Sequence, residues 1–274
     1  MQLDGFHFSI GRAFLESGKD LVLQCHKANV VCKHPCVGDI LQLGNGYDAD
    51  DIYWGYVSAL LSDPYDNMVW LDDHGIDYED VDSFDVFCLK WKELQDAYEL
   101  EKEKWDAYGT SPTRFLSLAL QFFLGHRDFA LAKYDDGEYV IIDEADTSFQ
   151  IDRQTFSSIL LFITLMNGIV REGRIRPKDK NAKMALLEDK RDELKKLQKK
   201  HHESNDRIGD MMSVAIHAGA GGITPFNVSG VKIYQLYSEY IMSLKKNRSD
   251  HILNGIYAGT VDGSKINPSD TNWM

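Results

Sequence analysis

The chain has 274 residues, of which 43% are hydrophobic and 11% aromatic, enough for one sizeable core or two small ones. Charged residues make up 27% and the net charge is −13, which argues against wholesale disorder and against broad binding to nucleic acid or to an anionic membrane. No apolar run reaches the roughly 18–20 residues that span a bilayer, the opening residues lack a secretory pattern, and four cysteines in so long a chain are not a disulfide framework, so the expected setting is the cytoplasm.

Residues 20–33 carry β-branched residues on both sides of Lys27-Ala28-Asn29 and read as a short hairpin that ends at Pro35. A short helix is expected over 36–43. A longer one follows over 47–62, with Ile52, Tyr56, Ala59 and Leu60 on one face and Asp48 or Asp50 as cap. Ser62-Asp63-Pro64 starts a new element, and Asp72-Asp73-His74-Gly75 reads as a turn or a helix C-cap. Asp82 or Ser83 caps a helix through Phe84, Phe87, Cys88, Trp91 and Leu94 that runs on, increasingly polar, to Gly109. The helix over 112–124 is apolar nearly all round and is expected at the centre of the core.

Residues 129–143 form the clearest hairpin, because Asp136-Gly137 supplies the positive φ angles of a tight turn. Residues 153–169 are again apolar and helical. From Pro177 to about Ser204 the chain is charged, with Met184, Leu186, Leu187, Leu194 and Leu197 as its large apolar residues. That stripe is thin for a helix of roughly 40 Å, which predicts a projecting arm, paired with 205–218. Gly219, Gly221 and Gly222 break the chain before a last helix over 231–244. The expected fold is α+β, predominantly α-helical, with two short β-hairpins and a long projecting charged helix. Residues 1–170 make a mixed α/β body, 171–218 a charged helical arm, and 219–274 a helical segment packing on the body.

Charge is unevenly placed. Asp39 to Asp106 holds 19 acidic and 4 basic residues, whereas Arg171 to Arg207 holds 13 basic and 8 acidic. An acidic front half and a basic arm attract each other, within one fold or between subunits; the plainer reading is two solvated faces.

Few residue groups suggest chemistry. Cys25, Cys32, His34 and Cys36 are the weak metal candidates, with His26 beside them, since thiolates and imidazoles hold zinc. Their C-x6-C-x3-C spacing is not that of a zinc knuckle, and Cys25 and Cys32 facing each other across a hairpin as core thiols is the favoured reading. Asp72-Asp73-His74 has the composition of a metal-assisted site but lies in an expected turn. The glycine run at 219–222 lacks the Gly-Lys-Ser/Thr of a phosphate loop and reads as a hinge. No catalytic residue, metal or cofactor is expected, and the chain is read as a non-enzyme. Val231, Tyr234, Tyr237 and Ile241 form one stripe on the last helix. Tyr234, Tyr237, Tyr240 and Ile241 are the candidate partner-binding residues, because aromatics offer apolar area with a polar tip.

Several blocks together resemble a known family. They are His34-Pro35-Cys36-Val37-Gly38-Asp39-Ile40, then Tyr53, then Asp63 through Asp73, then Gly75-Ile76-Asp77-Tyr78 with Phe84 and Phe87. Farther on come Ile223-Thr224-Pro225-Phe226-Asn227-Val228 and Ile233-Tyr234-Gln235-Leu236-Tyr237. Their order is similar to that of tail assembly chaperone-like proteins in the tail morphogenesis of long-tailed bacteriophages of Gram-positive hosts. The resemblance implies a chaperone in the host cytoplasm that coats the tape measure protein and gathers tail-tube subunits on it, with self-association. A structural subunit retained in the virion is the alternative, and a metal-dependent enzyme a second one.

Overall fold

A computed structural model describes residues 10–25, 28–46, 48–107, 109–134, 137–170, 177–199, 206–219, 221–267 and 271. The chain runs through α1 (Arg12–Glu16), β1 (Leu21–Cys25), β2 (Ala28–Cys32), α2 (Val37–Leu41), α3 (Ala49–Leu61), α4 (Met68–Asp73), α5 (Ser83–Leu100), α6 (Lys102–Ala107) and α7 (Arg114–Leu124). It continues through β3 (Phe129–Lys133), β4 (Tyr139–Asp143), β5 (Gln150–Ile151), α8 (Arg153–Met166), α9 (Lys180–Lys199), α10 (Arg207–His217) and α11 (Ile233–Tyr257). The fold is α+β and mainly helical, with two small antiparallel sheets ordered β1-β2 and β3-β4-β5. Among the described residues, no helix is long and apolar enough to cross a membrane.

Both expected hairpins form. The first pairs Leu21 with Cys32 and Cys25 with Ala28, so the two cysteines lie at opposite ends of the ladder and do not face each other. The cause is the register, which pairs Cys25 with Ala28 and so centres the hairpin earlier in the chain than expected; residues 26 and 27 lie outside the described residues. The second hairpin closes from Lys133 to Tyr139, with Gly137 at φ +91°, the left-handed region that glycine tolerates. Asp136 of the expected turn lies outside the described residues. The two-residue strand β5 has no pattern in the sequence and is held by pairing with Ile141 and Ile142.

The most enclosed helix is α8 rather than α7. Along α8 Phe156, Ile159, Phe162, Ile163 and Met166 are buried, and so are Thr155, Ser157, Ser158 and Thr164. Its hydroxyls tolerate this because they donate back to carbonyls four residues earlier: Ser157 to Arg153, Ser158 to Gln154 and Thr164 to Leu160. In α7 only the face with Leu116, Ala119, Leu120, Phe123 and Leu124 is buried, and Phe115 is left 45% exposed. Phe115 lies against α3 at Gly55, where a Cβ would sit 3.1 Å from the ring, so a glycine inside a helix here serves a close crossing.

On α3 the buried face is Ala49, Tyr53, Tyr56, Val57 and Leu60, turned from the expected one, so that Tyr53 enters the core. Its hydroxyl donates to Asn167 Oδ1 at 2.6 Å just past the end of α8. Ser62 ends α3 in the left-handed region at φ 36° instead of opening the next helix. Asp82 caps α5 as expected, accepting from Asp85 N–H while Asp85 accepts from Asp82 N–H. Arg153 then ties the starts of α5 and α8 together, forking onto Asp85 at 2.7 and 2.8 Å and reaching Asp82 at 2.7 Å.

One large core joins α2, α3, α5, α7, α8, the start of α11 and the inner faces of both sheets, with Phe84 and Phe87 stacked on Phe156. A second, small cluster holds Met68, Leu71, Tyr78, Val86 and Leu187. Leu187 belongs to the long charged helix. The first half of α9 is therefore seated on α4 rather than projecting. Beyond Arg191 its described side chains are exposed.

Candidate functional site

The start of α11 is fastened to the other end of the chain. Ile233 N–H donates to the Pro35 carbonyl at 3.0 Å, and Val37 N–H to the Val231 carbonyl at 2.9 Å. Lys232 Nζ donates to the His34 carbonyl at 2.5 Å, and Gln235 Nε2 to the Glu16 carbonyl at 2.8 Å. His34 is only 1% exposed, with its ring edge-on to Phe162 and its Nε2 accepting from Tyr234 N–H at 3.3 Å. Accepting at Nε2 requires the neutral ring. Burial first, then the nearby Lys232 ammonium, push its pKa down from 6.5 to about 4.

The other metal candidates also have local uses. Cys25 Sγ lies 2.9 Å from Thr155 Oγ1, and burial raises its thiol pKa. Cys32 is fully enclosed, so burial raises its thiol pKa strongly. Cys36 stands at the N-cap of α2, its N–H donating to Asp39 at 2.8 Å. Among the described residues, no group of three or more metal-binding side chains converges. In Asp72-Asp73-His74 both carboxylates accept from Arg191 at 2.8 Å. His74 ends α4 with Nδ1–H donating to the Trp70 carbonyl at 2.7 Å.

The candidate partner residues divide along α11. The helix buries Ile233 and Leu236, a face rotated from the Val231–Tyr234–Tyr237 stripe. Tyr234, Tyr237 and Tyr240 pack at half-burial along the edge of the main core. Tyr237 lies directly over Gly168, where a Cβ would stand 2.1 Å from the ring, so much of this tyrosine's face is used internally. Ile241, the first apolar residue past that contact, is half-buried. The helix runs on to Tyr257, past its expected end at 244, and presents Leu244 and Tyr257 to solvent, the latter 83% exposed.

A residue named above only within a resemblance block is displayed more openly. Phe226 is 98% exposed. Its loop is braced: Asn227 Oδ1 accepts from Thr224 N–H at 2.7 Å, and Asn227 Nδ2 donates to the Gly222 carbonyl at 3.0 Å. Gly221 N–H donates to the Glu239 carboxylate of α11 at 2.9 Å, and Gly219 sits tightly between α10 and Glu239. Gly219 and Gly221 of the run thus pack against α10 and α11. The signal for Phe226 was a large apolar residue in a Pro-containing turn, where nothing periodic gives it a core face.

The exposed aromatics Phe226 and Tyr257, and the tyrosine edge between them, all fall within one stretch of sequence. Residues 199–274 match the family model for the YomV second domain, and YomV is a Bacillus phage-region protein. No curated protein and no solved structure matches the chain. The carboxy-terminal segment, α10 and α11 with the braced loop between them, is therefore similar to a phage-associated domain.

Proposed function

We propose that this chain is a non-enzymatic tail-assembly protein of a long-tailed bacteriophage, a chaperone that holds helical segments of the tape measure protein while tail-tube subunits gather on it. The observation that carries the reading is Phe226, an almost fully exposed aromatic on a hydrogen-bonded loop within the segment similar to a phage-region domain. A large apolar side chain presented to solvent on a hydrogen-bonded loop offers a partner an aromatic anchor. The net charge of −13 supports the role as well, since a chaperone must stay soluble while carrying apolar helices.

The test is co-expression with the tape measure protein of the same phage, followed by co-purification and titration. A complex is expected in assembling cells, and mature particles are expected to lack the chain. Phe226→Ala is expected to weaken tape-measure binding by about thirtyfold, the effect of a lost aromatic anchor of roughly 2 kcal/mol, with the melting temperature unchanged. Stoichiometric retention in mature virions would replace this reading with that of a structural subunit.

A further inference from the structure

The seat of α9 on α4 has the form of a docking groove. Its floor is apolar: Met68, Leu71 and Val86 are fully buried, and Tyr78 nearly so. Its rims are acidic. Asp77 and Glu79 meet the helix at Lys183, and Asp72 and Asp73 meet it about two turns later at Arg191. The helix in it is basic and amphipathic. Lys183 bonds Asp77 and reaches Glu79 at 3.1 Å, and its ammonium lies 4.7 Å from the centre of the Tyr78 ring. Arg191 spans Asp72 and Asp73, both at 2.8 Å, and Lys190 lies over Tyr65. Between the charges only Leu187 is buried, with Leu186 beside it.

The fit is incomplete in two ways. First, a single buried leucine and a few half-exposed ion pairs are a small holding force for a helix of 20 residues. Second, the Tyr78 hydroxyl is enclosed in this cluster without a hydrogen-bond partner. Leaving such a group unpaired costs what a good ligand would recover by offering an acceptor.

We infer that the α4 groove is a receptor for a partner protein's basic amphipathic helix, and that α9 occupies it in cis as a displaceable placeholder. The incoming helix carries a leucine pair flanked by Lys or Arg about one turn before and one turn after, as α9 does, and an acceptor side chain for Tyr78. A tethered helix competes at an effective concentration on the order of millimolar, so the groove is masked until a better-fitting helix arrives. This inference stands on the α4–α9 geometry and does not depend on the tail-assembly reading.

The probe is a synthetic peptide of residues 179–199, titrated against the full chain. In Lys183→Glu/Leu187→Asp/Arg191→Glu the arm is expected to be released while every groove residue is unchanged. The peptide is expected to bind this variant at least tenfold more tightly than the wild-type chain. Adding Asp72→Ala and Asp73→Ala to the same variant, which leaves residue 191 no new partner there, is expected to remove the binding. Equal binding to wild type and to the arm-released chain, no binding to either, or binding that survives the groove changes would each overturn the inference. Should the triple variant fail to fold, Arg191→Glu alone carries the same comparison, with the same outcomes expected in smaller measure.

Discussion

The two hydrophobic clusters among the described residues are held by different forces. The main core joins helices from both ends of the chain around α8 and is closed by aromatic rings and aliphatic side chains. The cluster under α9 contains five buried residues and is framed by Lys183 and Arg191 with their four carboxylates. Apolar burial scales with area and is insensitive to salt, whereas half-exposed ion pairs are screened. The body is therefore built to stay closed, and the α9 seat to open at small cost.

The largest change that sharpens this contrast is in the main core. Phe156→Ala removes the ring that meets Phe84 and Phe87 and is expected to lower global stability by about 3–5 kcal/mol in denaturant unfolding. Next comes His34. Its folded pKa lies below its unfolded value, so between pH 6.5 and about 4 the unfolded chain binds more protons. Stability is thus present above pH 6.5 and falls as the pH is lowered through that window, by roughly 3 kcal/mol at most for a shift of this size. His34→Gln is expected to flatten that slope in unfolding curves taken at each pH.

Tyr53→Phe leaves Asn167 Oδ1 enclosed without its donor and is expected to cost about 1–3 kcal/mol by the same measurement. The smallest effect belongs to the α9 seat. Raising NaCl from 0.05 to about 1 M shortens the screening length from over 10 Å to about 3 Å. Amides of Lys183–Arg191 are then expected to exchange several-fold faster by mass spectrometry, while those of Leu116–Leu124 do not change. Equal salt response in both regions would erase the distinction between the clusters.

Much of the fold was legible where a periodic pattern coincided with a cap. The α5 start at Asp82 is such a place, since the Asp82–Asp85 pair that caps it also precedes an apolar run. The second hairpin was legible because a glycine in its loop sits between two β-rich runs. What the periodicity did not fix was rotation. On α3 Tyr56 and Leu60 are buried as expected but the face turns to include Tyr53, and on α11 it lies a residue away from the expected one, because tyrosines and isoleucines fit either an edge or a core and only tertiary packing chooses. The attraction between an acidic front half and a basic arm was legible as a possibility, and the structure realises it within the chain, as Arg191 on Asp72 and Asp73. Its address was not, since charge counts carry no geometry. For the candidate site, the tyrosines of α11 were named from spacing, but Phe226 entered only within a resemblance block, because an exposed aromatic has no periodic partners to announce it.

The bonds that fasten α11 join residues about 200 apart in sequence: Lys232 to His34, Gln235 and Ser238 to Glu16. A ribosome adding roughly 5–20 residues per second takes about 10–40 s to cover that distance. During that time the first hairpin, His34 and the floor of the core wait without the helix that covers them. Nascent chains therefore emerge with an apolar seam open, and it closes when Ile233 and Leu236 arrive. Closure across such a separation is slower than forming a local element, since contacts of high sequence separation fold slowly. A reduced expression rate, which leaves fewer open chains to meet one another, is expected to raise the yield of native protein.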